Sequence, residues 1–264
     1  MNSEQVIFSE QDGLATLRLN KPEKLNALDS AVFEQLLVHI ERLEASTGTI
    51  GCVLLRGNGR SFSAGHDLSV LTAGESLAET ALQAKVIERL ANLPQPLITA
   101  VHGHCYTGGL ELALAGDIIL ASASARFADT HAKWALTPLW GLSQRLPRRV
   151  GVAKAREMMF TCRSYTGAEA ERMGLVNICF PDDVFDAEVT AFARNILENS
   201  WFSLRENKRL LIETDGMAIA AGLAHEVFRT RGTGADMQAR IAKFGERKRT
   251  GRASYTEPSP SHRT

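Results

Sequence analysis

The chain has 264 residues, 44% of them hydrophobic and 23% charged, with 30 Lys and Arg against 30 Asp and Glu. That is globular composition, long enough for one large core or two modest ones, and its neutrality supplies no general pull on nucleic acid or anionic membrane. Met1 to Ala15 has neither a basic n-region nor an apolar h-region, and no apolar run approaches the ~20 residues of a membrane span, so a soluble cytoplasmic protein is expected.

From the N-terminus, Val6 to Ser9 and Leu14 to Leu19 flank Asp12-Gly13, a hairpin signal. Asp29 is a good N-cap for a helix whose Val32, Leu36, Leu37, Ile40 and Leu43 form one apolar stripe ending near Ser46. Ile50 to Leu55, Leu97 to Val101 and Ile118 to Ala121 read as short buried strands, and their alternation with helix or loop favours an α/β layer with partly parallel strands. After Gly141 the pattern turns helical. Helices are predicted over Val152 to Phe160, Gly167 to Met173, Val184 to Asn199, Trp201 to Glu213, Met217 to Arg229 and Ala235 to Lys248, with one strand at Leu175 to Phe180. Thr250 to Thr264 has no apolar periodicity and reads as a disordered tail. Cys52, Cys105, Cys162 and Cys179 form no C-x-x-C pair and read as reduced packing residues.

The chain has no G-x-S-x-G, G-x-x-x-x-G-K, H-E-x-x-H or complete G-x-G-x-x-G. Serine hydrolase, P-loop and dinucleotide readings therefore lose their support. Two glycine-bearing loops remain, residues 57–68 and 102–111, each after a predicted strand, where α/β proteins place ligands. Gly108-Gly109 opens a helical run over Leu110 to Ala115, so main-chain N–H groups there can face a partial negative charge; an N–H from the first loop would complete an oxyanion hole. Ordinary turns are the plainer reading of either loop alone. Glu111 lies in the first turn of that run, as a tuned acid or base or as a partner of the helix dipole.

Four segments carry a resemblance: Pro22 to Leu28, Phe62-Ser63-Ala64-Gly65-His66-Asp67-Leu68, Gly108-Gly109-Leu110-Glu111 and Gly116 to Ala121. In order and spacing the chain resembles the crotonase (enoyl-CoA hydratase/isomerase) superfamily over residues 5 to 249. The resemblance implies an α/β spiral of ββα units over 1–195 and a helical trimerisation region over 196–249, ahead of the tail over 250–264. It further implies a homotrimer or dimer of trimers acting on an acyl-CoA thioester, with coenzyme A entering as part of the substrate, and no separate cofactor or metal. The backbone N–H groups of His66 and Gly108 match the family's oxyanion hole, and Glu111 its first catalytic glutamate. Ala64, Asp67 and Leu68 would line the CoA path, and Lys24, Leu25 and Ala27 its adenine end. Arg247 and Lys248 would reach the CoA phosphates; by residue type alone they belong to a solvated basic helix end.

Where the family's two-glutamate hydratases carry a second glutamate, twenty residues after the first, this chain has His131 in Phe127-Ala128-Asp129-Thr130-His131, and no Asp or Glu follows as far as Arg156. One glutamate and one histidine can still divide acid and base work, so hydration of a 2-enoyl-CoA leads, with Glu111 and His131 as catalytic residues. An isomerase, another crotonase-type lyase or hydrolase, or a CoA-binding protein without catalysis are the alternatives. Trp134 and Trp140 either narrow the acyl pocket or pack the core. A metal hydrolase built on His102-x-His104 with His66 and His131 rests on weaker spacing.

Overall fold

The computed structural model describes residues 4–249, apart from the side chains of Leu71, Ala73 and 247–249. Asp12 and Gly13 both take positive φ, 51° and 82°, as a two-residue hairpin turn requires. They join β1 (Val6–Gln11) to β2 (Leu14–Leu19) in an antiparallel pair. The Asp29 side chain caps α1 (Ser30–Ala45) by accepting from the Val32 amide, and Val32, Phe33, Leu36, Ile40 and Leu43 are buried along one stripe.

After β3 (Cys52–Gly57) come two helices absent from the sequence reading, α2 (Leu68–Ala73) and α3 (Leu77–Ala91). Helix α3 has a capping box between Ser76 and Glu79, a legible start signal. Its buried stripe includes Gln83 beside Val86, Ile87 and Leu90, which weakens the apolar periodicity.

The chain continues through β4 (Leu97–Val101), β5 (His104–Tyr106), α4 (Gly108–Ala113), β6 (Ile118–Ser122), β7 (Arg126–Ala128) and α5 (Leu142–Thr161). The predicted helix at Val152 thus starts ten residues early, and Gly151, with φ 76° and ψ 156°, breaks it into two pieces. Next are β8 (Tyr165–Thr166), α6 (Gly167–Arg172), β9 (Ile178–Phe180), α7 (Phe185–Leu197) and α8 (Trp201–Glu213). Strand β9 is shorter than predicted because Leu175 and Val176 close the end of α6, both donating to the Ala170 carbonyl.

Six strands form one sheet in the order β1-β2-β3-β4-β6-β9, parallel from β2 onward, and β5-β7-β8 form a second. Strand β4 feeds β5 across a turn, and β6 feeds β7 in the same way, so successive strand-strand-helix turns wind as a spiral. The large sheet is covered on both faces. Buried residues of α1, α3, α4 and α5 pack with Leu17, Val53, Leu55 and Val101 on one side, and Phe185, Val189 and Ala193 of α7 pack with Leu54, Ile98, Ala100 and Leu120 on the other. Two-sided burial explains why these strands read as unbroken apolar runs.

Helix α8 docks through the Trp201 indole, which lies so close over Gly13 and Gly51 that a Cβ would come within 2.6 and 2.3 Å of it. The compact unit containing all these elements ends at Asp215. A second unit begins at Gly216 and holds α9 (Ile219–Arg229) and α10 (Met237–Arg249). The tail expected over 250–264 lies outside the described residues. Among the described residues no helix is long and apolar enough to cross a membrane.

Candidate active site

The two glycine-bearing loops pair with each other. Phe62 and Ser63 donate to the carbonyls of His102 and His104, and Tyr106 donates back to Ser63. Leu28 and His66 form an isolated parallel bridge in which Leu28 donates to Gly65 and Asp67 donates to Leu28. That pattern uses the neighbours of His66 and turns its own N–H to the opposite side. The loops meet at His66 and Gly108, where a Cβ on Gly108 would stand 3.2 Å from the His66 nitrogen and 2.5 Å from the Trp140 ring. Gly65, at φ 103°, allows the same approach from the other loop.

Thr107 precedes Gly108 with φ 51° and ψ −110°, a costly conformation for a β-branched residue. Three bonds hold it: its N–H donates to Ala128, its hydroxyl accepts from the Thr130 amide, and the Thr107 and Thr130 hydroxyls bond each other. The loop of Gly108 is thereby tied to the segment that carries His131.

Glu111 is buried on α4. Its Oε1 accepts from the amides of Trp140 at 2.9 Å and Leu142 at 3.1 Å. Its Oε2 stands 3.7 Å from His131 Nε2. Burial raises its pKa, while the His131 imidazole and the two amides pull the other way. His131 opens a short 3-10 turn, and its Nδ1 lies 2.6 Å from Oδ1 of Asp129, which is buried. Asp129 therefore holds Nδ1–H and leaves Nε2 for Glu111 and the cavity. No Asp or Glu follows His131 as far as Arg156, and the carboxylate that partners its ring lies two residues upstream.

Glu111 and His131 line a cavity of about 320 Å³ together with His66, Gly108, Glu75, Trp134 and Trp140, and Asp129 stands behind His131 outside it. Trp140 is part of the core and packs edge-on against Phe33, with ring centroids 4.8 Å apart, so packing and pocket lining coexist in one residue. Trp134 is 56% exposed. The His66 ring lies 4.8 Å from that of Trp140, and its Nε2 bonds Glu75 Oε1 at 3.1 Å. Glu75 is not among the site residues expected from the sequence.

Among the other expected site residues, Ala64 and Leu68 reach the cavity and Asp67 does not. Asp67 is engaged by the Ser69 hydroxyl at 2.6 Å and by Lys24 and Lys21 at 3.1 and 3.3 Å. The Ser69 hydroxyl and these ammonium groups hold its carboxyl well below the usual range. Leu25 accepts from the Ala64 amide, which brings the stretch of Lys24, Leu25 and Ala27 beside the loop of His66. Asn26 staples this corner by donating to Asn58 and Ser61 and accepting from Lys21. The side chains of Arg247 and Lys248 lie outside the described residues.

His102 bonds the Gly59 carbonyl and His104 the Ser61 hydroxyl, and no cluster of three or more metal-ligating side chains occurs among the described residues.

The family model described as enoyl-CoA hydratase/isomerase matches residues 9–255. The 2,3-dehydroadipyl-CoA hydratase of Escherichia coli K12 is 34% identical over 224 residues, covering 84% of this chain and 87% of its own. The short-chain-enoyl-CoA hydratase of Clostridium acetobutylicum is 30% identical, covering 86% and 88%. Among solved structures, an enoyl-CoA hydratase from Bacillus anthracis superposes with a TM-score of 0.84 at 27% identity, covering 92% of this chain and 96% of that one.

Proposed function

The chain belongs to the enoyl-CoA hydratase/isomerase family, and from that premise we propose that its cavity hydrates the double bond of a 2-enoyl-CoA thioester, with Glu111 and His131 dividing the proton transfers. The observation that carries this reading is the buried Glu111 carboxyl facing His131 Nε2 at 3.7 Å, beside the amides of His66 and Gly108.

The thioester oxygen would accept from those two amides, which stabilise the enolate formed when oxygen adds at Cβ. A water standing beside the pair, on the cavity side, can lie about 2.8 Å from both Glu111 Oε2 and His131 Nε2, which are 3.7 Å apart. His131, with Nδ1–H committed to Asp129, takes a proton from that water at Nε2 as the oxygen attacks Cβ. Glu111, whose burial favours the protonated form, delivers its proton to Cα. One proton leaves water and one reaches carbon, leaving imidazolium beside carboxylate. Transfer of a proton from His131 back to Glu111 restores the pair.

Ala64 and Leu68 would then lead the pantetheine away from the cavity towards Lys24, Leu25 and Ala27, with Asp67 fixing that corner through its two lysines. Arg247 and Lys248 remain the proposed counterions of the CoA phosphates. A homotrimer or dimer of trimers belongs to the same proposal. In its support, Ile219, Leu223 and Val227 of α9 are exposed at i, i+4 and i+8, an apolar stripe suited to a protein partner.

The test is mass analysis of products from a panel of 2-enoyl and 3-enoyl CoA thioesters, with Glu111→Gln and His131→Ala alongside. A product heavier by one water, lost in the Glu111 variant, is expected. Unchanged mass with a moved double bond, or full turnover by E111Q, overturns the reading.

A further inference from the structure

The cavity contains a second imidazole–carboxylate pair that the proton transfers above leave unused. His66 contributes its amide to the thioester site, yet its side chain is held separately: the ring packs on Trp140, and Nε2–H donates to Glu75 Oε1 at 3.1 Å. Glu75 lies in the short link between α2 and α3, with its side chain only 8% exposed. The same Oε1 accepts from Gln83 Nε2 on α3 at 2.7 Å. A carboxylate in a pocket that must stabilise a developing enolate works against that charge unless it acts on something else. What it touches is the residue whose amide receives the enolate oxygen.

The peptide plane bearing the His66 N–H is the Gly65–His66 unit, and Gly65, at φ 103°, places few steric limits of its own on that plane. The Leu28 bridge fixes Gly65 O and Asp67 N on the far side. That oxygen belongs to the same plane as the His66 N–H, and the His66 side chain, held by Trp140 and Glu75, adds a second restraint at the plane's other end.

We propose that Glu75 is a positioning residue for the oxyanion hole: braced by Gln83 of α3, it locks the His66 side chain and so aims the His66 amide at the thioester oxygen. This rests on the oxyanion role given to His66 above. A donor misaligned by a fraction of an ångström stabilises the enolate less while ground-state binding changes little.

The experiment uses [1-13C]butyryl-CoA, a saturated thioester that can be neither hydrated nor isomerised at a double bond, and reads its carbonyl stretch in the bound state by isotope-edited infrared spectroscopy. In the wild type, binding shifts the stretch to lower wavenumber. In Glu75→Ala at least half of that shift is lost, and kcat on but-2-enoyl-CoA falls about ten-fold with KM changed by less than about two-fold. Glu75→Gln, which keeps an oxygen to accept from Nε2–H, retains the shift. Gln83→Leu, which removes only the brace, loses part of it and serves as the second variant should Glu75→Ala fail to fold. A folded Glu75→Ala or Gln83→Leu protein with the full wild-type shift overturns the proposal. Absence of any shift in the wild type overturns the oxyanion role of His66 itself, and this inference with it.

Discussion

Asp129 Oδ1 lies 2.6 Å from His131 Nδ1, and that contact decides which nitrogen of the ring faces Glu111. Replacing Asp129 with Asn removes the charge that keeps Nδ1 protonated and lets the ring adopt the other tautomer, with Nε2–H towards Glu111. We expect Asp129→Asn to lower kcat on a 2-enoyl-CoA by about 10²-fold. His131→Ala should do at least as much, and the double variant should be no slower than His131→Ala alone, since Asp129 acts through His131. Steady-state kinetics on the three proteins make the check. Additive losses would mean that Asp129 acts independently of the ring.

Glu111→Gln keeps an oxygen for the Trp140 and Leu142 amides but cannot exchange the proton. A loss of about 10²- to 10⁴-fold in kcat is expected. Stability should move in the opposite direction. Burial raises the Glu111 pKa, so the folded state holds this proton more tightly than the unfolded chain, whose glutamates titrate near ~4.3. Wild-type stability therefore declines as pH rises from that value through the folded pKa, and the Gln variant escapes the decline. Denaturant melts from pH 4 to 8 should show the Glu111→Gln protein gaining on the wild type across this window and then running parallel to it. A difference constant with pH would refute the assignment.

Gly108→Ala tests the two amides through space alone. The added Cβ would meet the Trp140 ring at 2.5 Å and the His66 nitrogen at 3.2 Å, so either the ring moves or the loops part. Loss of one well-aligned donor costs about 10²- to 10³-fold in kcat, and a change of that order is expected with the fold retained. Near wild-type kcat in a folded Gly108→Ala protein would remove Gly108 from the oxyanion hole.

Much of the fold was legible because its signals are local. Asp12-Gly13 needs positive φ at both positions, Asp29 caps the helix it precedes, and strands buried on both faces read as apolar runs. Helix α3 was lost because Gln83 interrupts its stripe, and that residue is buried where it can reach Glu75. The site was half legible. Glu111, His66 and Gly108 stand in motifs, whereas what holds them is tertiary: the amides of Trp140 and Leu142 reach Glu111 from 29 and 31 residues away. Asp129 was in plain view. A contact at i, i+2 across the start of a 3-10 turn has no distinctive spacing, so only the folded geometry singles it out.

Lys208 supplies a prediction about stability alone. Its ammonium on α8 donates to the Gln95 carbonyl at 3.1 Å and to Asp117 Oδ2 at 2.7 Å, and that carboxylate oxygen also accepts from the Leu97 amide at 2.7 Å. The contact ties the last helix of the first unit to the start of β4. Burial lowers the Lys208 pKa and Asp117 opposes the shift, so the pair offsets a real desolvation cost. Lys208→Met keeps the length of the stem but takes the ammonium from the Gln95 carbonyl and from Asp117, which retains the Leu97 amide. Because Asp117 is one-third exposed, water relieves part of the penalty, and a loss of about 1–3 kcal/mol is expected. Adding Asp117→Asn removes the stranded charge while keeping a side-chain oxygen for the Leu97 amide. The double variant should therefore be more stable than Lys208→Met, with catalytic constants unchanged in both. Urea titration of the three proteins measures this, and a double variant less stable than Lys208→Met would show that Asp117 stabilises the fold without its lysine.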